Sequence, residues 1–266
     1  MTNNTAERVR ANGAELYVEL RGSGPAVLLV AGAAGDGGQY AGLVAELSTD
    51  HTVVTYDRRG NSRSPRPKGW SGTSVDEQAD DAAALCDALG LPPAVVYGNS
   101  TGAMIALDLM LRHPDRVAAA ILHEPALMSV LEQPDEALGA VQPVIGAGMA
   151  SGGLRGGTDA FLRFAGGPAY DTIDEATRER MLGNGETLFE YEFGSFASWR
   201  PDHTALASAR TPVIVASATE TAPFFVEAAN WLATQLGAQP TKVPGGHMAF
   251  LDYPAAIADV IRGAQR

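Results

Sequence analysis

The chain has 266 residues, 45% hydrophobic and 19% charged, enough for one large α/β domain with a sizeable core. Its net charge is −12, and Lys68 and Lys242 are the only lysines, which speaks against nucleic acid or an anionic membrane as partner. Met1 to Arg10 is polar, without the apolar centre of a signal peptide, and no run approaches the length that spans a bilayer, so a cytoplasmic location is the default.

Glu7–Arg10 and Glu15–Arg21 predict two strands around the turn Asn12-Gly13. Ala26-Val27-Leu28-Leu29-Val30 is an unbroken apolar run, as expected of a strand buried on both faces of a parallel sheet. Ala31 to Gly38 is a glycine-rich loop before a short helix near Gln39–Leu47. The loop matches neither G-x-G-x-x-G nor G-x-x-x-x-G-K-[ST], so it gives no nucleotide site. Asp36 could meet a substrate there, but its place before a helix fits an N-cap better. His51–Tyr56 predicts the next strand, and Asp57-Arg58-Arg59-Gly60-Asn61-Ser62 the loop after it. Ser74–Leu89 has helical periodicity and takes in Cys86, the one cysteine, as a small buried hydrophobe.

Ala94-Val95-Val96-Tyr97 then runs into Gly98-Asn99-Ser100-Thr101-Gly102, and a helical pattern leaves it at Ala103, Met104, Ala106 and Leu107. This is G-x-S-x-G in strand–turn–helix context, which marks Ser100 as a nucleophile. So tight a turn strains the serine backbone and leaves room only for small residues two before and two after it, here Gly98 and Gly102. The hydroxyl then stands at the positive end of the next helix. Without that context, the same letters would describe an ordinary surface turn.

Val117–His123 predicts another strand, after which the alternation stops. Helical stretches (136–150, 159–165, 175–182, 186–196) follow until about Arg210, broken by glycine pairs. A structureless loop that long is rare, so residues 125–210 read as a helical cap inserted into a core of 1–124 and 211–266. The glycines suggest that the cap is a mobile lid. Met149, Phe161, Phe164, Phe189, Tyr191, Phe193, Phe196 and Trp199 lie in it, most of them as cap core. Met128, Phe161, Phe193, Trp199 and Met248 are the candidates to line a substrate pocket. Pro212–Ala216 resumes the sheet, Pro223–Leu236 is helical, Thr241–Val243 is a short strand, and Ala255–Arg262 closes the chain as a helix. Strands alternating with helices predict a mostly parallel, eight-stranded sheet with helices on both faces.

Ser100 needs a base. Of the five histidines, His51 and His123 bound strands, His113 ends a helix and His203 is in a polar linker. His247 alone sits in a glycine-flanked loop, Gly245-Gly246-His247, after the last strand, where it can reach over the carboxyl edge of the sheet. No H-x-x-x-H or paired-cysteine spacing suggests a metal.

Ser100 in its elbow, the Asp57–Ser64 loop and Gly245-Gly246-His247 together resemble the α/β-hydrolase superfamily over nearly the whole chain. Asp57-Arg58-Arg59-Gly60 is similar to the D-x-R-G start of its loop after the fourth strand, and Ala31-Gly32 to its His-Gly oxyanion loop, with alanine where histidine is commonest. The resemblance implies an oxyanion hole built from the N–H groups of Ala33 and Thr101. It implies a triad acid after the Val213–Ala216 strand, where Glu220 fits; Glu124, after the His123 strand, is the position used by some relatives and is the competitor. It implies a cofactor-free, monomeric or homodimeric serine esterase or lactonase acting on a small to medium, largely apolar substrate. Similar folds also serve as lyases, cofactor-free oxygenases, acyltransferases or ligand receptors.

Overall fold

The computed structural model describes residues 3–264, so Met1, Thr2, Gln265 and Arg266 lie outside the described residues. The chain runs β1 (Asn3–Ala11), β2 (Ala14–Gly22), β3 (Ala26–Val30), α1 (Ala41–Leu47), β4 (Thr52–Tyr56), α2 (Val75–Ala88), β5 (Ala94–Asn99), α3 (Thr101–Arg112) and β6 (Val117–His123). Then come α4 (Pro134–Gly166), α5 (Glu175–Gly183), α6 (Phe193–Ser198) and α7 (His203–Ser208), and the core resumes with β7 (Val213–Ala218), α8 (Pro223–Gln235), β8 (Thr241–Val243), α9 (Ala249–Asp252) and α10 (Pro254–Gly263). The eight strands form one sheet in the order β1-β2-β4-β3-β5-β6-β7-β8. The pairs β1–β2 and β2–β4 are antiparallel, and the other pairs are parallel.

Local chemistry explains most boundaries. Asn12 and Gly13 take positive φ of 44° and 75° and turn the first hairpin. Ser74 caps α2 by accepting from the Glu77 N–H, and Asp36 caps the 3₁₀ turn at Gly37–Tyr40 by accepting from Gly38 N–H at 2.7 Å. Asp36 also pairs with Arg180 and does not line the cavity at Ser100. The central strands β3 and β5 are buried along their whole lengths, as unbroken apolar runs require. One apolar layer packs between the sheet and α2, α3 and α8; the other lies on the opposite face under α1 and α10. Cys86 is buried in the first, and burial pushes its thiol up to about 11.

Two readings of the sequence are corrected in the helical region. His203 is not in a linker: it begins α7, which Asp202 caps. And Pro134–Thr172 is, by length and composition alone, long and apolar enough to cross a membrane, contrary to the expectation of no such run. Its hydropathy is spread over many small residues and is easily overlooked. It is not one straight rod. Gly152 and Gly153 leave helical geometry, and the chain doubles back so closely that a Cβ on Gly148 would stand 2.4 Å from the Gly156 carbonyl oxygen.

Strand order reverses between β3 and β5. Crevices at such a switch point, outside the carboxyl ends of the strands, are where ligands bind in open α/β sheets. The turn after β5 opens there.

Candidate active site

Ser100 sits between β5 and α3 at φ 59° and ψ −124°, a conformation that L-residues rarely take. The strain is enforced by crowding. A Cβ on Gly98 would lie 2.2 Å from the Gly102 carbonyl oxygen, and one on Gly102 would lie 2.2 Å from that of Val30. The Ser100 N–H donates to the His123 carbonyl at 3.0 Å, tying the turn to the end of the adjacent strand. The hydroxyl does not cap its own helix, and it opens into a cavity that His247 also lines. No hydrogen bond joins the two side chains among the described residues; such contacts commonly tighten only when substrate binds.

His247 is held at three points, two on its ring and one on its backbone. Its Nδ1 is 2.6 Å from Glu124 Oε2. The Phe225 ring stacks on its face, centroids 3.8 Å apart and planes 12° from parallel. Its backbone carbonyl accepts from Asn99 Nδ2 at 2.9 Å, so the residue before the serine also fixes the histidine's loop.

Glu124, and not Glu220, is the carboxylate at His247. The parallel register sets His123 beside Asn99 on one side and Ala216 on the other. Glu124 therefore leaves the sheet next to Ser100. A positive φ of 47° turns the chain there. Its Oε1 accepts from the Ala218 N–H at 2.7 Å and its Oε2 from Thr221 Oγ1 at 2.9 Å, so groups at the end of β7 hold a carboxylate supplied by β6. Burial works against the charged form of Glu124, but the bonds and charge from His247 and the Ala218 N–H outweigh it and hold the carboxyl below its ordinary range. Glu220 instead donates its N–H to Gly245 and leaves its side chain exposed. The sequence preference for Glu220 is thereby corrected.

The backbone groups proposed for an oxyanion hole flank Ser100. Ala33 and Thr101 both line the cavity, and neither N–H is taken by another backbone carbonyl among the described residues. Thr101 is the first residue of α3, where helical N–H groups lack partners and the macrodipole is positive. Gly32 precedes Ala33 because a Cβ there would come 2.9 Å from the Asn99 carbonyl oxygen.

The remaining wall is apolar. Met128, Phe161 and Phe193 line the cavity as expected. Met248 does not: it lines a separate small pocket with Gln39 and Leu162, which also touches Ser100 and His247. Trp199 does not line it. Its indole N–H donates to Asp76 at 2.7 Å, which turns the ring toward the α2 side of the core. The sequence reading missed Val141, Phe224, Phe225 and Glu192 on the wall. The Phe224-Phe225 pair after Pro223 was visible as aromatic sequence at the start of a helix; nothing in the sequence tied it to His247. Among the described residues no group of three or more histidine, cysteine, aspartate or glutamate side chains could hold a metal ion.

The model of the family described as alpha/beta hydrolase fold matches residues 25–155. The chain is 34% identical over 252 residues, 91% of its length and 89% of the relative's, to the uncharacterized hydrolase YraK of Bacillus subtilis. Among solved structures it resembles a thermophilic esterase from Thermogutta terrifontis, with TM-score 0.76 and 23% identity over 97% of each chain. It also resembles Est816, described as an N-acyl homoserine lactone degrading enzyme, with TM-score 0.72 and 23% identity over 97% of this chain and 99% of that one.

Proposed function

Because the chain belongs to the α/β-hydrolase superfamily, we propose that it is a serine hydrolase that cleaves an ester or lactone of largely apolar character through an acyl-enzyme. One observation carries this reading: Ser100, on its strained turn, shares an apolar cavity with His247, whose Nδ1 lies 2.6 Å from a buried carboxylate. The Glu124 carboxylate keeps Nδ1 protonated and leaves Nε2 free as the base. His247 takes the Ser100 proton as the oxygen attacks the carbonyl carbon. The Ala33 and Thr101 N–H groups stabilise the resulting oxyanion. The imidazolium then protonates the departing alcohol, and the same base activates a water that releases the acid and restores Ser100. A serine at the elbow, where a carboxylate would form an alkyl-enzyme, favours acyl chemistry over epoxide or halide displacement. The wall of Met128, Val141, Phe161, Phe193 and Phe196 favours an apolar acyl or alcohol group.

A fluorophosphonate probe tests the class. Wild-type protein is expected to label, and Ser100→Ala not to. A panel of esters, lactones and amides of graded chain length then tests the substrate. Folded wild-type protein that takes no label and turns over nothing in the panel would favour a binding role on this fold and sink the proposal.

A further inference from the structure

The peptide that joins Gly32 to Ala33 offers its N–H to the cavity side and its carbonyl to the loop after β4. A peptide unit is planar and trans, so these two groups point in opposite directions, and holding one aims the other. Two donors hold the carbonyl: Arg58 Nη2 at 2.9 Å and the Gly35 N–H at 3.1 Å. The cationic donor also polarises the amide and strengthens its N–H as a donor.

Arg58 is fully buried, and its charge is matched by Glu192. Both carboxylate oxygens of Glu192 accept from it, at 2.6 and 2.8 Å, and Gln78 and Asn61 complete the cluster around Oε1 at 3.0 and 3.2 Å. Glu192 is on a π-helical turn between α5 and α6 and lines the substrate cavity. The same helical region grips this loop twice more. Asn184 Nδ2 donates to the Ala34 carbonyl at 2.6 Å, and Arg180 pairs with Asp36 at 2.7 Å. Ala34 itself is at a positive φ of 60°, so the loop is in a conformation that needs outside support. Arg58 is the variable residue of D-x-R-G, and position 31 has alanine, whose methyl group has nothing to donate.

On the reading of the chain as a serine hydrolase, we propose that Arg58 is the positioning residue of the oxyanion peptide. Glu192 supplies the counter-charge, so the N–H of Ala33 is aimed only when the helical region is seated on the sheet. Paired removal is the fair test, since removing one partner strands a buried charge. Arg58→Met/Glu192→Met is expected to lower kcat about 10–100-fold with KM changed less than about 2-fold, since an oxyanion donor acts in the transition state. Affinity for phenylboronic acid, which gives a tetrahedral adduct on serine, is expected to fall by the same factor. The control is Arg59→Met/Asp81→Met. It removes a neighbouring buried pair that does not touch this peptide, and it is expected to lower Tm with kcat unchanged. If Arg58→Met/Glu192→Met does not fold by circular dichroism, Glu192→Gln alone is expected to show a smaller fall of the same kind. Unchanged kcat, a change confined to KM, or an equal kcat loss in the control would overturn the proposal while leaving fluorophosphonate labelling of Ser100 intact. Folded wild-type protein that takes no label would overturn the hydrolase reading and this proposal together.

Discussion

Phe225 lies flat on the imidazole of His247, 3.8 Å between ring centres. A flat face restricts tilt about the bond from Nδ1 to Glu124, which a single hydrogen bond cannot do. Phe225→Leu keeps apolar volume and removes the flat face. It is expected to lower kcat/KM about 5-fold, from roughly 1 kcal/mol of lost ring contact. Phe225→Ala is expected to lose as much activity and, in addition, several degrees of Tm through the cavity it leaves. Steady-state kinetics and thermal unfolding of the two variants separate the orienting role from the packing role; full activity in Phe225→Leu would rule out the first.

The two glutamates should behave in opposite ways. Glu124→Gln keeps the shape but can present an amide N–H to Nδ1, favouring the wrong tautomer. It is expected to cut kcat by about 10⁴, the size seen when a triad acid is made an amide. Glu220→Gln, exposed and with no hydrogen bond to the imidazole, is expected to stay within about 2-fold of wild type. The reverse result would return the acid to β7.

His123 predicts an acid-sensitive fold. Its ring is fully buried with Nδ1 2.8 Å from the Tyr97 hydroxyl and no partner on Nε2 among the described residues, and burial pulls it down to about 4. An unfolded histidine titrates near 6.5, so between those values the unfolded chain binds the extra proton. Stability from this residue is therefore complete above about pH 6.5 and is lost as pH falls toward about 4, at up to ~1.4 kcal/mol per pH unit. His123→Asn keeps a polar atom for Tyr97 and does not titrate. Urea unfolding at pH 7 and pH 5 is expected to show a smaller drop in the variant than in wild type; equal drops would exclude His123 as the cause.

Glycines should divide by their surroundings. Gly98→Ala and Gly102→Ala push a methyl group to within 2.2 Å of backbone oxygen, and neither is expected to yield soluble folded protein. Gly139→Ala in α4 meets nothing within 4 Å and is expected to raise stability by about 0.5–1 kcal/mol, read as a higher Tm.

Much of the molecule was legible in the residues. Val117–His123 and Thr241–Val243 are strands at the predicted bounds, and Asp36 is the N-cap it was read as. Ser100 and His247 stand at one cavity. The helical hairpin of α4 was read as separate pieces, because Gly152 and Gly153 end the periodicity without showing that the chain turns back on itself. Trp199 was misplaced, since periodicity marks a residue as buried but does not say against what.

By itself the chain determined what acts within a few residues: where backbones extend or coil, and where only glycine fits. It also determined that one serine must stand on a tight bend. Those outcomes follow from short-range sterics and hydrogen bonding, which travel with the local residues. The tertiary structure decided which glutamate meets His247, which aromatic ring faces it, and that Arg58 finds Glu192, 134 positions further along. Such meetings depend on strand order and register, because side chains far apart in sequence become neighbours only after the sheet has set its edges.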